Sequence, residues 1–464
     1  MISHVLRASG TARVLVFLLF CPCLLPTLKS QDNPASGFKF TKIDNQLLDE
    51  VNELDQMYVK KGLVLQDPDL QEYLDSVGKR VMGTRPAPEQ VEIRFRALRD
   101  PMVNAFASPN GTIYVTTGLL ALLENEAQLA GVLGHELTHV YNRHTYLENR
   151  SERKKVLTIN ILQAAASLAP AGANLSQTAQ IFGAAIRLGA AVSSEVLVAS
   201  IYGYSREKER EADSNGLTSM VAANYDPHAM ARSFELMDQD GKFEFEPIVG
   251  FYRDHPKLTD RRAAALEFAS AHTPGEPRPS PENEYLAKVA PAICYNIEAD
   301  IISRRARTAV ARAMKLTTAM PDEPRYQVLL ADAYRSLGAK MRAPSQEELS
   351  RHGQAEDRKE YANLTDQEEQ KRLLQKPEGA AALHENLDQA EKLYSGVIQH
   401  NPSYADAYRG LGFLYEQEAK YTEAAGEYRH YLDLVAGTTI DHLRIERRLA
   451  AVEKLGGASP TQSQ

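Results

Sequence analysis

Gly131-Val132-Leu133-Gly134-His135-Glu136-Leu137-Thr138-His139-Val140 decides how the rest of the chain is read. It contains His-Glu-x-x-His. On a helix, positions i and i+4 share a face, so His135 and His139 can aim two imidazoles at one metal ion. Glu136 lies one residue on, turned about 100° around the helix, within reach of a water on that metal. Neutral imidazoles hold zinc, an open coordination position keeps a water, and a carboxylate takes its proton. The flanking residues suit a helix. Asn125-Glu126-Ala127-Gln128 reads as an N-cap with a capping box, and Leu129, Val132, Leu133, Leu137, Val140 and Tyr141 follow at helical spacing.

Two histidines from one helix need a third ligand from elsewhere. A third histidine in the same motif would require Gly three residues and His six residues after His139. Asn142 and Thr145 stand there, and His144 does not fit that pattern. The alternative is a carboxylate from a second helix. Tyr204-Ser205-Arg206-Glu207-Lys208-Glu209-Arg210-Glu211-Ala212-Asp213 supplies Glu209 and Asp213 four apart on one helical face. One of the two can bind zinc while the other accepts the N–H of a zinc-bound imidazole. Alone, such a charged run would be a solvated helix face.

Upstream, residues 40–85 carry two apolar stripes at helical spacing, Leu47 to Tyr58 and Leu70 to Val77. Val91-Glu92-Ile93-Arg94-Phe95 alternates like a strand. Asn104 to Ala107 and Thr112 to Thr116 flank Pro109-Asn110-Gly111 and read as a hairpin. A strand beside a zinc helix can pair its free edge with an extended peptide, which makes Asn104, Ala105, Phe106 and Ala107 candidate substrate-binding residues. It can equally serve only to build the core.

These motifs together resemble the HtpX and BepA-type zinc metallopeptidases, a family that also includes the CAAX prenyl proteases. The resemblance rests on His-Glu-Leu-Thr-His, then Tyr-Ser-Arg-x-x-Glu-x-x-Ala-Asp, then His-Pro, together with the hairpin run from Asn104 to Leu120, and it spans residues 40–270. It implies that His135, His139 and Glu209 hold one zinc, that Glu136 is the general base, and that Asp213 supports a ligand imidazole. Asp254-His255-Pro256…Arg261 corresponds to the family's His-Pro…Arg element. The resemblance implies that His255 gates the zinc or stabilises the oxyanion; a histidine that only packs locally is the plain alternative. The implied fold is α+β and mainly helical, a gluzincin-type domain with a small sheet next to the His-Glu-x-x-His helix.

The ends of the chain add a frame. Residues 1–30 read as an export signal, with Arg7 and Arg13 before the apolar Val14 to Leu25, and an uncleaved anchor as the alternative. Phe20 and Pro22 precede Cys21 and Cys23, which argues against a lipoprotein cut. Cys294 is then the one cysteine left, and no internal disulfide can form. Export with a single thiol suggests the periplasm or cell envelope of a bacterium. A formal charge of −8 with both signs interspersed gives no basic stripe for nucleic acid. Residues 156–202 are apolar but hold no clean membrane span; they read as two amphipathic helices over the site that can also touch a membrane surface.

The division expected is a signal at 1–30, a metallopeptidase domain at 31–272, a Pro-rich linker at 273–284, helical repeats at 285–455 and a disordered tail at 456–464. Ala390, Tyr394 and Val397 recur 34 residues later as Ala424, Tyr428 and Tyr431, and Tyr408, Leu411, Gly412 and Tyr415 fit the first helix of a tetratricopeptide repeat. A weaker unit runs through Ala309, Ala313, Leu316 and Pro321. Residues 341–380 are charged, apolar-poor and interrupt the array. Such repeats form a groove for peptides or partner proteins, here envelope assembly proteins by the resemblance, or they only cap the protease. The expected function is degradation of unfolded or misassembled envelope proteins; the alternative is a repeat-based chaperone with its zinc site kept closed.

Overall fold

A computed structural model describes residues 38–148, 150, 204–240, 258–303, 305–338, 377–437 and 439–456. The expected signal at 1–30, the apolar stretch 156–202, His255, most of the charged insertion 341–380 and all but the first residue of the tail lie outside the described residues.

The chain opens on α1 (Lys42–Lys60) and α2 (Pro68–Met82). Thr41 and Asp44 cap α1 reciprocally, and Asp67 accepts the Leu70 N–H at 2.9 Å with Pro68 in the first helical turn, so both helices start where side chains satisfy orphan amides. Three strands follow: β1 (Arg94–Leu98), β2 (Ala105–Ala107) and β3 (Thr112–Thr116). Their order is β1-β3-β2, with β1 parallel and β2 antiparallel to β3. The hairpin stands where Pro109-Asn110-Gly111 placed it, whereas the first strand begins at Arg94 rather than Val91. The turn explains that shift. Gly111 has φ +91° and packs so tightly on Val91 and Glu92 that a Cβ there would lie 2.4 Å from the Val91 side chain. The ladder therefore starts only where β3 starts, with Arg94 pairing with Thr112.

After α3 (Thr117–Leu122) comes α4 (Glu126–Tyr141), the helix of the His-Glu-x-x-His motif. Asn125 accepts the Gln128 N–H at 3.0 Å as expected of an N-cap. The Gln128 side chain does not close the box on Asn125; it takes the N–H of Glu124 at 2.6 Å instead. Every residue from Ala127 to Tyr141 is buried. A helix enclosed on all faces is a central element, not a surface one. It is wrapped by α2, β2, α5 (Arg206–Ala222) and α6 (His228–Asp240), with α7 (Leu258–His272) outside them.

Two glycines set how closely α4 and α5 approach. A Cβ added to Gly216 would lie 2.9 Å from the His135 nitrogen, and one added to Gly134 would lie 3.1 Å from the Gly216 Cα. The two backbones touch at the turn that carries His135.

Beyond residues 273–281 the described residues form helices: α8 (Glu282–Ile302), α9 (Ala306–Ala319), α10 (Pro324–Gly338), α11 (Pro377–His400), α12 (Ala405–Gln417), α13 (Tyr421–Leu434) and α14 (Ile440–Gly456). The helix α11 begins inside the stretch expected as an insertion, at Pro377. The first of these helices shares its core with α2 and α3. Tyr285 donates to the Leu120 carbonyl at 2.8 Å and Asn296 to the Thr117 carbonyl at 2.7 Å. The 34-residue pair Tyr394 and Tyr428 is fully buried against opposite sides of α12, Tyr394 over Gly410 and Tyr428 over Gly412. Cys294 is buried in α8. Among the described residues, no helix is long and apolar enough to cross a membrane.

Replacing Gly216 by Ala is expected to push α5 away from α4. Overpacking of this kind costs about 1–3 kcal/mol, and because α5 carries Glu209 and Asp213, metal affinity should drop with it. Thermal unfolding and a chelator-competition titration of Gly216→Ala check both effects.

Candidate metal centre

The α4–α5 crossing brings four motif residues together. His135 and His139 sit one turn apart on α4, and Glu209 lies in the first turn of α5. All three are 2 % exposed or less. The His135 and His139 Nε2 atoms are 3.0 Å apart. Glu209 Oε2 lies 3.3 Å from the first, and Oε1 3.7 Å from the second. Donor atoms of the three residues all fall within 4.8 Å of one another. Ligands at zinc's usual 2.0–2.1 Å on tetrahedral corners stand about 3.3 Å apart. Three nitrogen and oxygen donors at this spacing fit a single zinc ion with one position left open.

Asp213, one turn after Glu209, faces the other side of the first imidazole, with Oδ1 2.9 Å from His135 Nδ1. Accepting that N–H leaves the Nε2 lone pair directed at the site. Arg261 of α7 holds Asp213 in a two-pronged contact, Nε to Oδ2 at 2.8 Å and Nη2 to Oδ1 at 2.7 Å, and lies over the Phe234 ring at 4.4 Å. Burial opposes ionisation of Asp213, but the Arg261 guanidinium and His135 outweigh it and hold the carboxyl below its ordinary range. Burial likewise opposes charge on His135; Asp213 and Glu209 overcome it and raise the imidazole to about 9. The pocket thus favours positive charge where the imidazoles converge, as a cation site must.

Glu136 is 2 % exposed. Burial pushes its carboxyl up to about 7, with a smaller push from Glu209 and opposing pulls from His135, Arg261 and the Ala107 N–H that donates to it. That last contact places β2 beside the motif carboxylate. Asn104 O accepts from Thr116 N at 3.0 Å and Ser108 N donates to Thr112 O at 2.8 Å. Asn104, Phe106 and Ser108 therefore turn their backbone groups to β3, while those of Ala105 and Ala107 point off the sheet edge.

Two neighbours had no role assigned from the sequence. Tyr204 stacks on the His139 ring, centroids 3.9 Å apart and planes 17° from parallel, and its N–H lies 3.4 Å from Glu209 Oε1. Its hydroxyl is paired with Thr145 at 2.6 Å. His144, set aside as a ligand because it breaks the three-histidine spacing, is buried with Nδ1 2.8 Å from His139 Nδ1. Burial, with Lys208 nearby, lowers its pKa to about 3. His255 lies outside the described residues, and so does any contact it makes.

Comparison with known proteins agrees with this centre. Residues 68–269 match the profile of Peptidase family M48. Over that span the chain is similar to the M48 metallopeptidases. The chain is 28% identical over 239 residues to the beta-barrel assembly-enhancing protease of Escherichia coli strain K12, covering 50% of this chain and 45% of that one. It is 29% identical over 189 residues to the mitochondrial metalloendopeptidase OMA1 of Schizosaccharomyces pombe, covering 41% and 50%. The chain spans about half the length of the curated relatives it matches.

Replacing Arg261 by Met leaves the buried Asp213 carboxylate without its cation. Breaking one side of a buried ion pair costs about 3–5 kcal/mol. Denaturant unfolding of Arg261→Met should show a loss of that order, whereas a surface substitution such as Arg262→Met should be nearly silent.

Proposed function

We propose that this chain is an exported zinc-dependent endopeptidase that cuts unfolded or misassembled envelope proteins. The observation that carries the reading is the position of Glu136: buried, beside the converging His135, His139 and Glu209, and in contact with the edge of β2. A zinc ion held by those three side chains would supply Lewis acidity toward a scissile carbonyl and lower the pKa of water.

The protein's own groups do the rest. A substrate peptide in extended form adds to the β2 edge, where the backbone groups of Ala105 and the carbonyl of Ala107 point outward, the Ala107 N–H being taken by Glu136; Asn104 and Phe106 hold that edge in register with β3. Main-chain pairing selects for unfolded segments, because folded substrates have their backbone groups already paired. Glu136 takes the proton from the attacking water and hands it to the leaving amine. Burial raises the Glu136 carboxyl above its ordinary range, which strengthens it as a base. Asp213 and Arg261 keep His135 in its ligating orientation. His255 is assigned to the oxyanion or to gating the site.

The envelope as location, and its misassembled proteins as substrates, draw support from the names of the relatives and from the export-type residues 1–30. The helical region from α8 onward is assigned to tetratricopeptide repeats that recruit substrate or assembly proteins, with residues 31–272 as the peptidase domain and 273–284 as its linker. Support comes from the 34-residue repetition of buried tyrosines over glycines.

Glu136→Gln removes the base without removing a ligand. The full chain and this variant should bind zinc equally, and cleavage of an unfolded casein-type substrate should fall about 10²–10⁴-fold in the variant and vanish with chelator. Cleavage unchanged in Glu136→Gln would defeat the reading. An unaltered cellular role of that variant would favour the chaperone alternative.

A further inference from the structure

We propose that His144 is a positioning residue for the metal centre: its Nδ1 accepts the Nδ1–H of His139 and fixes the tautomer whose Nε2 lone pair faces the ion, with Glu211 holding the outer end. The proposal rests on the metallopeptidase reading above, since it concerns how one of that site's ligands is held.

The backbone brings the two rings together. On an unbroken helix, a residue five positions beyond His139 would be turned about 140° from it and could not meet its ring. The helix α4 ends at Tyr141, and Arg143 then takes φ +54°, a left-handed conformation that non-glycine residues adopt at a cost. Arg143 has no glycine-like freedom, so its own side chain must hold it there. Its guanidinium lies over the rings of Phe40 at 4.9 Å and Phe38 at 5.3 Å, and Nη2 donates to the Glu89 carbonyl at 2.6 Å. This left-handed turn folds His144 back beneath His139. Strain of this kind persists where the surrounding structure enforces it, and it often marks a functional constraint.

Proton counting then fixes the roles. The two Nδ1 atoms are 2.8 Å apart, a hydrogen bond with one proton between them. His139 can offer Nε2 to a metal only as a lone pair, so the proton belongs on its own Nδ1, and His144 Nδ1 must accept. His144 therefore carries its proton on Nε2, which faces Glu211 Oε2 at 3.3 Å. Glu211 is in turn steadied by Asn142, whose side-chain amide donates to Oε1 at 2.7 Å. The helix that brings Glu209 to the metal thus also brings Glu211, one residue beyond the next, to the outer histidine. The two ligand imidazoles receive different supports: His135 donates to a carboxylate locked by arginine, and His139 donates to a neutral imidazole.

The test uses the full chain with zinc alone as probe. His144→Phe fills the space without an acceptor. His144→Asn places a carbonyl oxygen where Nδ1 stood. Zinc affinity, read by competition with a chromophoric chelator, should weaken about 10–100-fold in His144→Phe and recover to within a few-fold of wild type in His144→Asn. Long-range proton–nitrogen NMR of the zinc-loaded wild type should show His139 protonated at Nδ1. Glu211→Ala, at the half-exposed end, should weaken zinc by a smaller factor and gives a readout if His144→Phe does not fold. Equal affinity in wild type, His144→Phe and Glu211→Ala overturns the proposal. Equal loss in the Phe and Asn variants overturns it too, since packing rather than an acceptor would then matter. Failure of the wild type to bind zinc at all would instead sink the metallopeptidase reading itself.

Discussion

The contact on which the candidate site depends has no side chain in it. The helices α4 and α5 meet backbone to backbone at Gly134 and Gly216, with no room for a methyl group on the second. That approach decides everything downstream. It puts Glu209 within 3.3 Å of His135 Nε2 and Asp213 within 2.9 Å of His135 Nδ1, so one imidazole is gripped on both nitrogens by a single neighbouring helix. A wider crossing would leave the four side chains of the same sequence pointing at one another across a gap.

Close approach creates an electrostatic difficulty, which the fold resolves by burying a cation. Glu136, Glu209 and Asp213 are gathered in an interior where an unpaired charge costs several kcal/mol. Arg261 reaches in from α7 to neutralise Asp213, leaving Glu209 and the imidazoles to face a metal and Glu136 to sit near neutrality. The sheet completes the arrangement. Because β2 is an edge strand and its Ala107 N–H meets Glu136, the element suited to hold a peptide and the carboxylate suited to activate water are adjacent. The C-terminal helices join this part through Tyr285 and Asn296 of α8, which donate to carbonyls of α3, the helix directly after β3.

Much of this was legible in the sequence for a simple physical reason. Spacings of four on a helix are local geometry, so His135 with His139, and Glu209 with Asp213, could be paired before any tertiary contact was known. The hairpin at Pro109-Asn110-Gly111 was legible for the same reason. What failed to show was tertiary. The late start of β1 depends on a turn lying over Val91. The diverted Gln128 cap depends on Glu124 competing for its oxygen. Gly216 carried no turn signal, and its purpose exists only against α4. Arg143 gave no hint of a left-handed turn, since the aromatic rings that hold it come from Phe38 and Phe40, more than a hundred residues upstream.

The proposed centre is one metal ion between α4 and α5 on two imidazoles and one carboxylate. X-ray absorption at the zinc edge of the purified, zinc-loaded chain addresses it directly. The expected spectrum is that of a four-coordinate shell of nitrogen and oxygen at about 2.0–2.1 Å, with the multiple-scattering signature of two imidazoles and with no sulfur. A six-oxygen shell, a sulfur contribution, or a signature of fewer than two imidazoles would contradict it.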